Sequence, residues 1–406
     1  MNILLVTHYF PPESGAPQAR LSDFARLWAS MGAEVTVLTG VPNHPTGIVP
    51  DAYRRLLRRE ETSDGYRIVR TWMYVTPNSG VYRKTLSHLS FMVSSVLLGT
   101  RKIGRPDVVV VSSPTFFSAI GAVAIARLKH ARLVVEVRDL WPAIFVELGV
   151  LRNRFLIRIL ERIEMWLYSS ADAVVVVSEG FKSALVQRKV PSHKITTIFN
   201  GVDLERFVVG LPADPTIRAA LGASDRDTLV LYIGAHGISH GLTAVAEAAK
   251  LLEGQGIVFA FVGEGAAKDD LATFVAKTHV SNALIHPGVA RDEVPQMIAA
   301  ADICLVPLRN IPLFSSFIPS KMFELLASGK PVVASVSGEA ATILAQAGAL
   351  VVEPEQPAAL AAALATLAAD PERRALMGRQ GRLYVEVNFD RRHLAARYLD
   401  LLESLE

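Results

Sequence analysis

Ser320, Lys321 and Glu324 place a hydroxyl, a cation and a carboxylate within one helical turn, in the stretch Phe317-Ile318-Pro319-Ser320-Lys321-Met322-Phe323-Glu324-Leu325-Leu326-Ala327-Ser328-Gly329-Lys330-Pro331. Proline pushes the residue before it out of the helical region, so Ile318 reads as extended chain and Ser320 as an N-cap. Met322, Phe323, Leu325 and Leu326 supply an apolar face, and Gly329 with Pro331 ends the helix before the strand 332–335. A loop feeding a helix start offers backbone N–H groups and the positive end of the helix dipole, which together favour a phosphate. Glu324 lies one turn in, on the same face, where a carboxylate can accept both hydroxyls of a ribose. The plainer alternative is an αβ connection with a solvated glutamate.

Other residues stand where such a site would need them. Gly234-Ala235-His236-Gly237-Ile238-Ser239-His240-Gly241 follows the strand 228–233 and opens a helix, again a place for phosphate. His236 and His240 can donate hydrogen bonds there, and a phosphate that raises their pKa makes them cationic near pH 6 to 7. No carboxylate is spaced with them, so a metal pair is the weaker reading and no metal is expected. Arg309 and Lys321 are the permanent charges that could serve instead. Arg138 and Asp139 close the strand 133–137, either as a structural ion pair or as cleft residues, because open α/β sheets bind ligands at strand C-terminal ends. The first loop, Thr7 to Ala16, contains Ser14 and Gly15 but no G-x-G-x-x-G, which disfavours an NAD-type site. Gly15 either lets a ligand approach the backbone or makes a turn. Asn43 and His44 sit in the non-periodic loop 41–47, and Asp225-Arg226-Asp227 reads as a solvated turn.

The elements that must position these residues alternate apolar strands with amphipathic helices, which predicts α/β architecture with parallel sheets covered on both faces. Strands are expected at 3–7, 34–39, 108–111, 133–137, 174–177 and 195–199, then at 228–233, 257–262, 283–286, 302–306, 332–335 and 349–352. Asn200-Gly201-Val202-Asp203 is the expected hinge between a domain over 1–200 and one over 201–385, with helix 386–406 returning to the first. At 406 residues, 50% hydrophobic and 20% charged, the chain has room for two such cores. The single cysteine, Cys304, lies in an apolar run and excludes a disulfide framework. The chain opens on a strand without a basic, cleavable leader, from which a cytoplasmic protein is expected.

The net charge of +3 hides an asymmetry. Residues 1–200 carry 25 Lys and Arg against 15 Asp and Glu, and residues 201–406 carry 17 against 24. An anionic surface facing the first half is expected. Nucleic acid is disfavoured, since no aromatics interleave with the basic residues. Arg54, Arg55, Arg58 and Arg59 surround Leu56 and Leu57. Arg83, Lys84, Arg101, Lys102 and Arg105 flank the apolar run 86–99, which is too short to span a bilayer and reads as a core helix or an interfacial one.

The stretch 317–331 resembles the nucleotide-sugar motif of family 4 retaining glycosyltransferases, which have the GT-B fold of two doubly wound Rossmann-like domains facing across a cleft. Of the two glutamates that this family spaces seven residues apart, the second falls on Glu324 and the first, the sugar contact, on Ser316. The resemblance implies that Gly263-Glu264-Gly265 lies near the donor and that the backbone at Gly288 and Val289 reads the base edge. It places Arg138 on a family histidine beside the anomeric carbon and Asp139 on the aspartate that often follows. The loop holding Ser14 and Gly15 would lie over donor phosphate and acceptor. His240 stands where a family lysine neutralises the diphosphate. The loop with Asn43 and His44 is similar to that of L-fucosamine transferases of O-antigen assembly. The implied activity needs no cofactor: a UDP-sugar donor, a lipid-linked saccharide acceptor, and peripheral contact with the inner face of the cytoplasmic membrane. A UDP-sugar epimerase or hydrolase on this scaffold, or a nucleotide-sugar-binding protein without turnover, stays open beside it.

Overall fold

The structure, a computed structural model, describes residues 1–13, 16–43, 47–76, 81–113 and 116–405. It divides into two compact units, Met1–Phe199 with Arg392–Glu406, and Asn200–Arg391. Ser14, Gly15 and His44 lie outside the described residues.

Unit 1 contains β1 (Asn2–Val6), β2 (Glu34–Gly40), β3 (Arg58–Ser63), β4 (Tyr66–Thr71), β5 (Val108–Ser113), β6 (Arg132–Val137), β7 (Ala173–Val176) and β8 (Ile195–Thr197), in the sheet order β3-β4-β2-β1-β5-β6-β7-β8. All pairings are parallel except β3 with β4. Near-continuous Val/Ile/Leu runs such as Val108–Val111 are buried on both faces, as crossover helices require. The helices are α1 (Ala16–Ser30), α2 (Val81–Ser94), α3 (Phe116–Lys129), α4 (Ala143–Glu147), α5 (Arg154–Ser170) and α6 (Glu179–Gln187).

Three features depart from the sequence expectation. The basic segment 54–59 runs into a hairpin. Asp64 (φ 47°) and Gly65 (φ 83°) form a two-residue turn of the type that matches strand twist, and β3 joins β4 antiparallel at the sheet edge. Within that segment Arg54 pairs with Asp51 (2.8 Å) and Arg59 with Glu61 (3.0 Å), so only part of the patch is uncompensated cation. The run 86–99 falls on α2 and a π-helical turn, Ser95–Gly99, that together bury one side only. Phe91 is fully buried, while Leu86, Val93 and Leu97 of α2 and the π-helical turn Ser95–Gly99 are about half exposed. The C-terminal helix is not one piece. It is broken between Pro371–Asn388 and Arg391–Glu403, because the Phe389 carbonyl accepts from the Val202 N–H (2.9 Å) and the Arg391 N–H donates to the Val202 carbonyl (3.0 Å). Beyond the break, Tyr398 packs edge-on against Phe24 and Trp28 of α1, and the Trp28 indole donates to the Ala395 carbonyl (3.1 Å).

Unit 2 contains β9 (Thr228–Ile233), β10 (Ile257–Val262), β11 (Ala283–His286), β12 (Ile303–Pro307), β13 (Val332–Ser335) and β14 (Leu350–Val352), ordered β11-β10-β9-β12-β13-β14 and parallel throughout. Cys304 is buried in β12, where desolvation pushes its thiol up to about 12. In both sheets the winding reverses once, between β1 and β5 and between β9 and β12. Loops diverge there beyond the strand C-termini and leave a crevice for ligands.

Candidate functional site

At the reversal in unit 2, β9 runs into Gly234-Ala235-His236 and a 3₁₀ turn over Ile238–His240. Gly241, at φ 59°, then hands the chain to helix Leu242–Leu251. The buried Tyr232 hydroxyl donates to the Ala235 carbonyl (2.5 Å) and holds this loop down. The next loop, Gly263-Glu264-Gly265, lies directly on it. His236 N–H donates to the Glu264 carbonyl (2.8 Å), and the His236 carbonyl accepts from Ala267 (2.8 Å). A side chain at Gly263 would collide with the Gly234 carbonyl oxygen, so the two backbones meet only because glycine stands there.

Into this corner, from helix Lys321–Ala327 beyond β12, reaches Lys321. Its Nζ lies 3.8 Å from the centre of the Tyr232 ring, and a Cβ placed on Gly234 would approach it to 2.9 Å. The ammonium is buried with no hydrogen-bond partner in the structure. Burial drives its pKa from the usual lysine range down to about 7, with Glu324 one turn on opposing the shift. Both histidines follow the same logic. Burial, then the neighbouring lysines, takes His236 to about 4. Burial, then Lys321, takes His240 to about 3. The ligand-free His240 is therefore neutral at working pH; the charge expected of it belongs to the phosphate-bound state, and in the free protein Lys321 is the basic group that lies beside Gly234.

Ser320 is not a side-chain cap. Its backbone is already helical (φ −56°, ψ −34°) and its hydroxyl makes no capping bond, since the Pro319 carbonyl takes the Met322 N–H (3.1 Å). Ser316 ends a 3₁₀ turn and donates to the Leu313 carbonyl (2.8 Å). Arg309 lies beside Gly241, but its guanidinium pairs with Glu355 (3.5 Å), which offsets the charge expected of it. Glu264 is engaged by Lys268 (2.7 Å) and by the Gly288 N–H (3.1 Å), which together hold its carboxyl below the usual range. That bond also occupies the Gly288 amide expected to read a base edge, while Val289 beside it is half-buried. Asp227 accepts from the Ser224 N–H and hydroxyl, which makes Asp225-Arg226-Asp227 a turn.

In unit 1, Arg138 and Asp139 follow β6. Burial raises the Asp139 carboxyl to about 6 against the pull of Arg138. Trp141 stacks on Phe116 and meets Phe145 edge-on. Asn43 is fixed by its backbone, whose N–H donates to Glu13 (2.7 Å), and by its amide, which donates to the Val41 carbonyl (3.0 Å). Sequence reasoning passed over the residues around it. The buried Glu13 also accepts from the Phe10 N–H (3.0 Å) and so ties the loops after β1 and β2 together. His8 lies against His88 of α2 with the rings tilted by 36° (ring centres 4.1 Å), and burial holds His88 near 4. Glu13 could have been found from its place beside Gly15 in the loop after the first strand, whereas nothing local in the sequence pairs His8 with His88.

Two family descriptions match in succession: "Glycosyl transferase 4-like domain" over residues 15–201 and "Glycosyl transferases group 1" over residues 213–384. The glycosyl transferase WcaI of Escherichia coli (strain K12), named for colanic acid biosynthesis, is 25% identical over 413 residues, spanning 98% of this chain and 99% of its own. The GDP-mannose-dependent alpha-(1-6)-phosphatidylinositol monomannoside mannosyltransferase of Mycobacterium tuberculosis (strain ATCC 25618 / H37Rv) is 27% identical over 413 residues, spanning 99% and 98%. The fold is shared with Anabaena Alr3699/HepE, solved in complex with UDP and glucose, at a TM-score of 0.74 and 18% identity over the whole of both chains. With two parallel α/β units in the same order as the two matches, the chain belongs to the family 4 glycosyltransferases of the GT-B fold.

Proposed function

We propose that the chain is a retaining, metal-independent transferase that moves a sugar from a UDP-sugar onto a polyprenyl-linked saccharide in surface-polysaccharide assembly. The sugar is an N-acetylated amino-deoxyhexose of the L-fucosamine type, and the protein works in the cytoplasm against the inner membrane face. The observation that carries the reading is the buried, unpartnered Lys321 ammonium beside the glycine-lined Gly234 loop. A cation stripped of water and left without an anion is costly unless a ligand supplies one, and a diphosphate matches it. Glu324, one turn along, then receives the ribose hydroxyls of the same nucleotide. WcaI supports the polysaccharide pathway and HepE the UDP moiety.

In this mechanism the bond from the anomeric carbon to the diphosphate oxygen breaks while the acceptor oxygen bonds to that carbon on the same face. The acceptor's proton passes to the departing phosphate oxygen. Lys321 stabilises the charge that develops there, and the rest of the protein acts by holding both substrates in register. Arg138 and Asp139 are assigned to the sugar side, Ser316 to the position of the missing glutamate, and Asn43, His44 and Ser14 to the acceptor. The full chain is expected to consume the UDP-sugar only when a lipid extract containing the polyprenyl-linked saccharide is supplied. Consumption without it would turn the reading to hydrolysis or epimerisation.

A second reading, GDP-mannose as donor, is favoured by the mannosyltransferase relative. Calorimetry with UDP and GDP on the same preparation separates the two: tighter binding of UDP is expected, and tighter binding of GDP overturns the donor assignment.

A further inference from the structure

Glu355 stands in a backbone conformation that its residue type does not favour. At φ 55° it follows Pro354 in the turn between β14 and helix Pro357–Ala368. Proline ahead of a left-handed residue is the pattern of a type II turn, where glycine or asparagine fits at least cost. Arg55, His130, Lys189 and His279 take the same conformation just past a helical segment, and Asp64 takes it in the hairpin, places where left-handed caps and turns are common. Glu355 closes neither a helix nor a hairpin, and its carboxylate reaches across to one loop. One oxygen accepts from the Asn310 N–H (2.9 Å) and the other meets Arg309 Nε (3.5 Å). A side chain kept at the cost of backbone strain points to work done by that side chain.

The loop so held runs from Arg309, just past β12, to Ser316, the position of the missing glutamate. The Arg309 N–H donates to the Ser239 carbonyl (2.9 Å), and its stem lies so close over Gly241 that a Cβ there would come within 3.1 Å of Arg309 Cγ. Lys321, beside Gly234, and the Arg309–Glu355 pair, beside Gly241, therefore mark the two ends of the segment 234–241, and they differ in kind. The buried ammonium offers charge. The pair is 39% and 37% exposed, carries no net charge and sets donors beside acceptors. Among the described residues the two terminal amino groups of Arg309 take no hydrogen-bond partner, and each Glu355 oxygen keeps a further lone pair. A nucleotide-sugar divides in the same way, into an anionic diphosphate and an uncharged ring of hydroxyls. We propose that Arg309 and Glu355 form the subsite for the donor's sugar, whose hydroxyls donate to the Glu355 carboxylate and accept from the Arg309 guanidinium. Glu355 thereby supplies the carboxylate that Ser316 lacks. The proposal rests on the UDP-sugar reading and deepens it by naming the residues that select the sugar.

The test is calorimetry on the full chain with UDP and, separately, with UDP-glucose, UDP-galactose and UDP-N-acetylglucosamine, read as the ratio of each nucleotide-sugar's Kd to that of UDP. Glu355→Gly removes the carboxylate and relieves the turn, so its thermal melt should stay close to that of wild type. It should raise the ratio about tenfold for whichever sugar wild type binds best, and Arg309→Met should do the same. Glu355→Gln, which keeps the turn as it is and one acceptor oxygen, should raise the ratio by less. UDP itself should bind all three variants as it binds wild type. An unchanged ratio in either Glu355→Gly or Arg309→Met overturns the proposal. So does an equal loss of UDP and UDP-sugar, which would put the pair on the diphosphate or make it a tie within the fold. Wild type that binds UDP while refusing all three sugars also counts against a subsite built for ring hydroxyls. Wild type that does not bind UDP at all fails the donor reading beneath it, so the two failures are told apart by UDP alone.

Discussion

The two units each bury a cation at the C-terminal edge of the sheet, and they treat it in opposite ways. In unit 1 Arg20 is almost wholly enclosed. It meets Glu136 at 3.2 Å and donates to the Phe199 carbonyl at 2.5 Å and the Ile198 carbonyl at 3.0 Å, while Ser112 donates to the other Glu136 oxygen at 3.0 Å. In unit 2 the Lys321 ammonium touches a ring and a glycine but no acceptor. Arginine's planar fork suits the first task, being permanently charged and able to serve a carboxylate and carbonyls together. Lysine suits the second, because it can give up its proton when buried and recover it when an anion arrives. A satisfied buried charge is architecture, whereas an unsatisfied one marks a place prepared for a ligand.

The sharpest way to break this contrast is to remove one partner on the satisfied side. Arg20→Met leaves Glu136 charged and buried, and should cost about 3–5 kcal/mol of stability, measured by denaturant unfolding. The double variant Arg20→Met/Glu136→Met should recover most of that loss. If Arg20→Met alone is as stable as wild type, the pair is not structural and the comparison fails.

On the unsatisfied side the same kind of change should act on binding instead. Lys321→Met should weaken UDP by about 3 kcal/mol, the upper range for a hydrogen bond to a charged group, with calorimetry as the readout. Its folded-state pKa near 7 lies below the ordinary lysine value. The cost of burying the charge is therefore complete below pH 7 and is relieved as pH rises toward the unfolded pKa. The methionine variant should be at least as stable as wild type at pH 6, and a clear loss of stability there would make Lys321 a structural residue. Glu324→Ala tests the other end of the nucleotide and should weaken UDP by about 2 kcal/mol without unfolding the protein. Unchanged UDP affinity would remove Glu324 from the ribose.

Much of this contrast could be read from the chain, and the rest could not, for physical reasons. Hydrophobic runs and the glycines at strand ends are local signals, so all six strands of unit 2 and the loops around Gly234 and Gly263 could be placed to within a residue or two. The Asp64-Gly65 hairpin was equally local, but the neighbouring arginines drew the reading toward a charged surface. What sequence could not supply was partnership. Arg20 and Glu136 are 116 positions apart. Arg309 was read as an available charge, but Glu355 faces it, and the free His240 ring is kept neutral by burial first and by Lys321 second, neither of which its spacing reveals. Burial and pairing across distant segments decide whether a polar residue is bound, free or neutral, and neither shows in spacing.

The finest discrimination is between Lys321 and His240 as the group that meets the diphosphate, and pH resolves it. A bound dianion favours the ammonium, so the lysine pKa should be higher in the complex than the value of about 7 in the free protein. UDP affinity should then be full below pH 7 and fall between pH 7 and the bound-state pKa, by at most about tenfold, or 1.4 kcal/mol, per pH unit. Working above pH 7 keeps the nucleotide's own phosphate, whose last pKa is about 6, from contributing. Histidine held near 3 in the free protein would begin its decline far to the acid side of this window. Calorimetric titrations at intervals from pH 7 to 9 should show the slope in wild type and in His240→Ala. Lys321→Met should lose both affinity and slope. Lys321→Arg should bind without a slope, because its guanidinium stays protonated throughout. A slope that survives Lys321→Met and disappears in His240→Ala would move the charge to the histidine, and with it the distinction drawn between the two buried cations.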